Sequence, residues 1–346
     1  MASNRATFPD VSGRHPFNVE DVCQRVALAR RGLGRVVVGL EEASEQLFTS
    51  LLCDGHCILQ GGPGAGKTKL VSTIASLMDL TFQEVQSELD PRVHEFVRTD
   101  AIDRPFVDSA RGLDVPRRVA NVVMVNQVHR DVGSTRKSIL DSMWMHESLS
   151  SSSGHAVRTP LCIIATQGPF VGEGTFTTDV LDRFLMKIVL ADPSEQDEHE
   201  IVRRACEPRI GRLHPVVNVQ QFMQMREAVE RIHTSDYVID CATRIARSTR
   251  FGSGQLKQGL VRCGAGPRAS IDLVKAARAR AAIRGRARVE IDDLKAVAKP
   301  VLRHRIVLSD TALAKGLCAD QLLEKILGAL KTESIEQQPW DGGHFI

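Results

Sequence analysis

One octet, GGPGAGKT from Gly61 to Thr68, constrains this 346-residue chain more than any other feature in it. It fits the spacing G-x-x-x-x-G-K-[S/T], follows a short apolar run (Cys57–Leu59) and opens a helix-like stretch, KTKLVSTIASLM. Glycines let a backbone curl until successive N–H groups converge on a polyphosphate. The helix that follows adds partial positive charge at its N-terminus. Gly61, Gly62, Pro63, Gly64, Ala65, Gly66, Lys67, Thr68 and Lys69 are therefore the expected nucleotide contacts. Lys67 is placed to reach the β- and γ-phosphates of ATP, and Thr68 to ligate Mg²⁺.

Two further apolar runs, Val122–Val125 and Leu161–Ala165, are bounded by polar or turn residues. Separated by helical stretches, such runs read as buried strands of a parallel α/β sheet. Helices are expected over about 19–33 and 40–52, and Leu70, Ile74, Leu77 and Met78 share one face of the helix after the loop. The serine-rich segment Ser148–His155 reads as a hairpin loop. From about Asp192 the pattern becomes wholly helical. Ile271, Val274, Ala277 and Ala281 fall on one face there, and Leu294, Val297 and Val301 on another. The expected organisation is a flexible tail over 1–17, an α/β nucleotide-binding domain over 18–192, a small all-α domain over 193–330 and a flexible tail over 331–346.

Composition narrows the function classes. Apolar residues are 42% and charged residues 25%, as in an ordinary soluble globular protein. A net charge of +3 gives no strong field towards nucleic acid or a membrane surface, and 4% aromatics make a base-stacking platform improbable. No run approaches the roughly 18 apolar residues that suggest a membrane span, and the N-terminus lacks a secretory apolar stretch. Eight cysteines in a chain this long are not a disulfide scaffold, so a reducing cytoplasm is expected. Cys53, His56 and Cys57 form a C-x-x-H-C cluster, but no second pair follows at zinc-site spacing. A loop entering a strand is the plainer reading. Lys275, Arg278, Arg280, Arg284, Arg286 and Arg288 invite a nucleic-acid reading, yet a solvated helix face is the commoner use of such residues.

Chains with this phosphate loop usually carry a second motif, an apolar strand ending in Asp and often Glu. The first holds the Mg²⁺ shell and the second polarises the attacking water. Here the strand VVMV ends in Asn126 and Gln127. An amide is nearly isosteric with a carboxylate but carries no charge and accepts no proton at neutral pH. Losing a general base typically costs about 10²–10⁴ in rate, so turnover should suffer far more than binding. Asp131, Asp141 and Glu147 lie downstream as possible substitutes.

With these motifs in order, the sequence resembles the MoxR family of AAA+ ATPases over roughly four-fifths of its length. VVVGLEEASEQL resembles the opening of the family's nucleotide domain, and DGHCILQGGPGAGKTKL its first strand and phosphate loop. ANVVMVNQVHR lines up with a stretch that normally reads Asp-Glu-Ile-Asn-Arg after the strand. IIATQGP lines up with Ala-Thr-Gln-Asn-Pro, and LDRF (Leu181 to Phe184) is unchanged from the family form. GAGPRAS, Gly264 to Ser270, resembles the lid motif, and RGRARVEIDDLKAVAKPVLRHR the lid ending.

The resemblance implies a five-stranded parallel sheet followed by a helical lid, and rings, usually hexamers, with ATP between subunits. It implies Arg183 as an arginine finger acting on a neighbour's ATP and Arg268 as the lid's sensor arginine. It also implies protein clients, often with von Willebrand A domains. Gly168 stands where the family has its sensor asparagine, beside the altered pair Asn126 and Gln127. Two functions remain open: an ATP-binding scaffold with weakened or lost hydrolysis, or an active ATP-hydrolysing remodeller of partner complexes.

Overall fold

The computed structural model describes residues 17–86, 106–108, 113–115, 120–126, 143, 162–169, 177–206, 213–250 and 259–329. Helices α1 (Val19–Gly34) and α2 (Glu41–Leu52) lead into β1 (Cys57–Gln60), α3 (Lys67–Leu77) and β2 (Phe82–Gln86). A hairpin, β3 (Phe106–Asp108) with β4 (Leu113–Val115), precedes β5 (Val122–Asn126), β6 (Cys162–Gln167), the short α4 (Thr178–Leu181) and β7 (Met186–Val189). Then come α5 (Glu195–Cys206), α6 (Val219–Glu230), α7 (Asp236–Ser248), β8 (Val261–Cys263), α8 (Pro267–Ile283), α9 (Ile291–Leu302), β9 (Val307–Leu308), α10 (Asp310–Ala314) and α11 (Ala319–Gly328).

Five strands form one parallel sheet in the order β2-β5-β6-β1-β7. Side chains alternate across a strand, so β1, β5 and β6 each feed two cores. Cys57, Leu59, Val122, Met124, Cys162, Ile164, Met186 and Ile188 join Leu70, Ile74 and Leu77 of α3 on one face. Ile58, Val123, Val125, Ile163 and Ala165 pack with Val180 and Phe184 on the other. Burial on both faces is why β1, β5 and β6 read as unbroken apolar runs. The first of the two cores continues through α1 and α2 into the C-terminal helices.

Three expectations need correction. β2 and β7 were not read from the sequence, because Gln83, Glu84 and Lys187 interrupt their apolar pattern. The stretch after Asp192 is not wholly helical: β8 and β9 pair antiparallel, in segments too short to show a period of two. Ile271 is 57% exposed, whereas Ala277 and Ala281 are buried as expected. Helix α8 is packed against α1, α2, α6, α7 and α9, and it buries small residues (Ala276, Ala277, Ala279, Ala281, Ala282) so that these neighbours can approach. Leu294, Val297 and Val301 of α9 are buried. Residues 1–16, the Ser148–His155 segment and residues 330–346 lie outside the described residues.

Candidate nucleotide site

The phosphate loop hangs between the centre of the sheet and α3. Its first residue is tied to β6, the Gly61 N–H donating to the Gln167 carbonyl at 3.2 Å. Gly64 and Gly66 hold φ of 79° and 81°, left-handed values that a side chain resists. Gly66 is the N-cap of α3 and offers no capping side chain. The N–H groups of Lys67, Thr68 and Lys69 therefore open the helix without intrahelical acceptors. Pro63 and the Lys69 side chain are exposed at the rim, and the Ala65 N–H closes a turn onto the Gly62 carbonyl at 3.3 Å.

Lys67 folds back over this loop. Its ammonium donates to the Gly61 and Gly62 carbonyls, both at 2.8 Å. No carboxylate pairs with it among the described residues, and partial burial holds its pKa below the usual lysine value. Thr68 donates its hydroxyl proton to Glu84 Oε1 at 3.0 Å. Asn126 donates from Nδ2 to the same oxygen, and Thr166 donates to Asn126 Oδ1 at 3.0 Å. Sheet register explains the meeting: Glu84 faces Met124 across the β2–β5 ladder, so Asn126 is its diagonal neighbour on the face that α3 covers.

The sequence reading missed Glu84. A carboxylate sharing a face with Phe82, whose side chain packs in the core beneath α3, was the available signal. It was hidden because β2 was not recognised as a strand. Gln127, Asp131, Asp141 and Glu147 lie outside the described residues. Gly168 follows β6 and presents only backbone, its carbonyl accepting from Gln60 Nε2 at 3.5 Å. Arg183 follows α4, half-buried, and takes no part in the chain of bonds through Thr68, Glu84, Asn126 and Thr166. Arg268 stands in the first turn of α8, where its charge acts on Asp272.

Two family profiles match this chain in sequence order. Residues 56–186 match the ATPase family associated with various cellular activities (AAA), and residues 255–326 match the AAA lid domain. The chaperone MoxR1 of Mycobacterium tuberculosis is 28% identical over 319 residues, spanning 89% of this chain and 82% of its own. Protein MoxR of Paracoccus denitrificans is 27% identical, spanning 84% and 91%. A crystal structure of a candidate ATPase from Cytophaga hutchinsonii superposes with a TM-score of 0.74 at 25% identity, covering 90% of this chain and 95% of that one. The chain belongs to the MoxR family of AAA+ proteins.

In this MoxR-family chain the segment around Arg183 is held by the lid. Arg305 is 1% exposed at its side chain and donates to the carbonyls of Asp182 (2.9 Å) and Phe184 (2.8 Å). It also pairs with the carboxylates of Asp182 and Asp272. The basic residues of the lid are largely committed within the chain. Arg280 and Arg286 bracket the buried Asp293, Arg284 pairs with Glu45, and Arg278 donates to Thr234. The Cys53–His56–Cys57 cluster is likewise used inside. The Cys53 thiol donates to the Ser50 carbonyl, and His56 Nδ1 accepts the Ile163 N–H at 3.1 Å.

Membership of this family implies a nucleotide, typically with Mg²⁺, and the residues present fit both. Lys67 is a cation without a carboxylate partner among the described residues, beside N–H groups that lack intrahelical acceptors. Thr68 and Glu84 set a hydroxyl oxygen against a carboxylate at the same helix end, a donor set suited to a hard divalent cation.

Proposed function

We propose that this chain binds ATP with Mg²⁺ between Gly61 and Lys69 and acts as a chaperone-like subunit that assembles or remodels partner proteins. Its own hydrolysis is weakened or lost. Lys67 carries the reading, held over the loop by two carbonyls and ready to exchange them for phosphate oxygens. The weakening rests on Asn126, whose amide fills the place of a carboxylate, on Gln127 in place of the base, and on Gly168, which has no side chain to orient water.

The family relationship supports the remaining parts. The subunits form a ring, a hexamer of one or more chain types, with Arg183 reaching a neighbour's ATP and Arg268 contacting it from the lid. The two-unit division at 192/193 belongs to this proposal. Von Willebrand A-domain proteins are the first clients to test. No helix among the described residues is long and apolar enough to cross a membrane, and the cytoplasm is the proposed location.

The test pairs binding of a fluorescent ATP analogue with steady-state phosphate release in one preparation. Micromolar binding with little turnover is expected. Turnover at the usual enzyme rate, with a median near about 10 s⁻¹, would favour the active remodeller instead.

A further inference from the structure

We propose that Glu84 is the carboxylate of the cation site, supplied from β2 in place of the one absent at the end of β5. The inference rests on the reading of the loop as an Mg²⁺–nucleotide site and deepens it.

A hydroxyl that ligates a cation turns a lone pair to the metal, so its proton needs another acceptor. Thr68 already has one, Glu84 Oε1 at 3.0 Å. The bond holds the Thr68 oxygen with its lone pairs free of that proton and sets a negative charge beside the metal position. Asn126 cannot do this. Its Oδ1 is turned to the Thr166 hydroxyl and its Nδ2 to Glu84, so it presents a donor to the site and no charge. The same orientation makes Asn126 a cradle for a carboxylate at position 84. An aspartate there would meet Glu84 with like charge, and the two could not both ionise freely.

Geometry accounts for the residue type. In the order β2-β5-β6-β1, β2 lies one strand further than β5 from the strand that carries the loop. Glutamate is one methylene longer than aspartate. The longer side chain extends the reach of Glu84 to Thr68 beneath α3, which packs over both β2 and β5. The substitution at 126 and the carboxylate at 84 thus form one exchange, in which the site's negative charge is moved to the adjacent strand. Glu84 bonds to the metal-binding hydroxyl and is no substitute for the water-polarising residue at 127. Metal-dependent binding should therefore survive in a site that turns over poorly.

The experiment measures affinity of the full chain for a fluorescent ATP analogue, with Mg²⁺ and with EDTA. Compared are the unmodified protein, Glu84→Gln, Glu84→Asp and the double exchange Glu84→Gln with Asn126→Asp. Manganese paramagnetic resonance in the presence of ATP reads the metal directly. The unmodified protein should bind more tightly with Mg²⁺. Glu84→Gln should lose about 10- to 100-fold of that advantage, the scale for residues that orient a metal ligand, while its EDTA affinity stays put. Glu84→Asp, too short to reach Thr68, should lose it as well, and the double exchange should recover it. An unchanged Mg²⁺ advantage in both single variants overturns the proposal. So does an equal loss with and without metal, or a double exchange that recovers nothing. If the unmodified protein binds no nucleotide, or Lys67→Ala changes nothing, the reading of the loop itself fails.

Discussion

At the scale of single residues, the phosphate loop is a conformational demand before it is a chemical one. An alanine Cβ at Gly66 would meet only the Leu40 Cδ1 at 3.6 Å, an ordinary contact. The penalty for Gly66→Ala therefore lies in the left-handed φ of 81°, roughly 1–2 kcal/mol. Relaxing that turn re-aims the Lys67 N–H, so nucleotide affinity should fall by about ten-fold or more while the protein stays folded, if one hydrogen bond to a charged group is lost. Gly34→Ala makes the control: nothing lies within 4 Å of its Cβ position. Thermal melts of both variants with and without ATP separate the two effects, and equal shifts in the two would count against the loop geometry. These positions were legible because the loop's chemistry needs glycine itself. Glu84 was not, because its role depends on which strand lies beside β5, and strand order is not written in local sequence.

At the scale of elements, what could be read was whatever was uniformly buried. β1, β5 and β6 are apolar on both faces and stood out, as did α3 with its face of Leu70, Ile74 and Leu77. Helix α8 was read with a face that is too narrow. An amphipathic stripe presumes one buried side, whereas five helices surround α8 and its alanines set how closely they approach. The size of a residue, more than its polarity, then decides its fate. Ala277→Leu should cost about 1–3 kcal/mol by overpacking, despite replacing one apolar residue with another. Ile271→Ser, which removes a larger apolar side chain from a site 57% exposed, should stay within about 0.5 kcal/mol. Urea unfolding of the two variants checks the order. A reversal would mean that Ile271 is covered in solution, by a ring neighbour for example.

At the scale of the whole molecule, the lid and the sheet are joined at a buried polar knot as well as through the continuous core. His304, 6% exposed, sits beside Arg305 and bonds through Nε2 to the Phe184 carbonyl at 2.9 Å. Burial pushes its pKa well below the ordinary histidine value, and the charges of Arg305, Lys187 and Arg303 push the same way against the favourable bond to Phe184. The unfolded chain binds this proton near pH ~6.5 and the folded one does not. The contribution to stability is therefore complete above that pH. It falls as the solution is acidified, by about 1.4 kcal/mol per pH unit, until the folded-state pKa is reached. His304→Gln keeps a donor for the Phe184 carbonyl but has nothing to titrate. Between pH 6.5 and 5.5 the unmodified protein should lose more stability than this variant, by up to about 1 kcal/mol. Urea titrations at the two pH values measure the difference, and the other ten histidines cancel between the proteins. The same knot holds Asp182 and Phe184 on either side of Arg183, so acid that loosens it should also release the segment that the proposed ring would set against the next subunit. Ring size by mass across that pH interval then links the two. Rings that persist unchanged while His304 is protonated would show that the knot stabilises the subunit without positioning its interface.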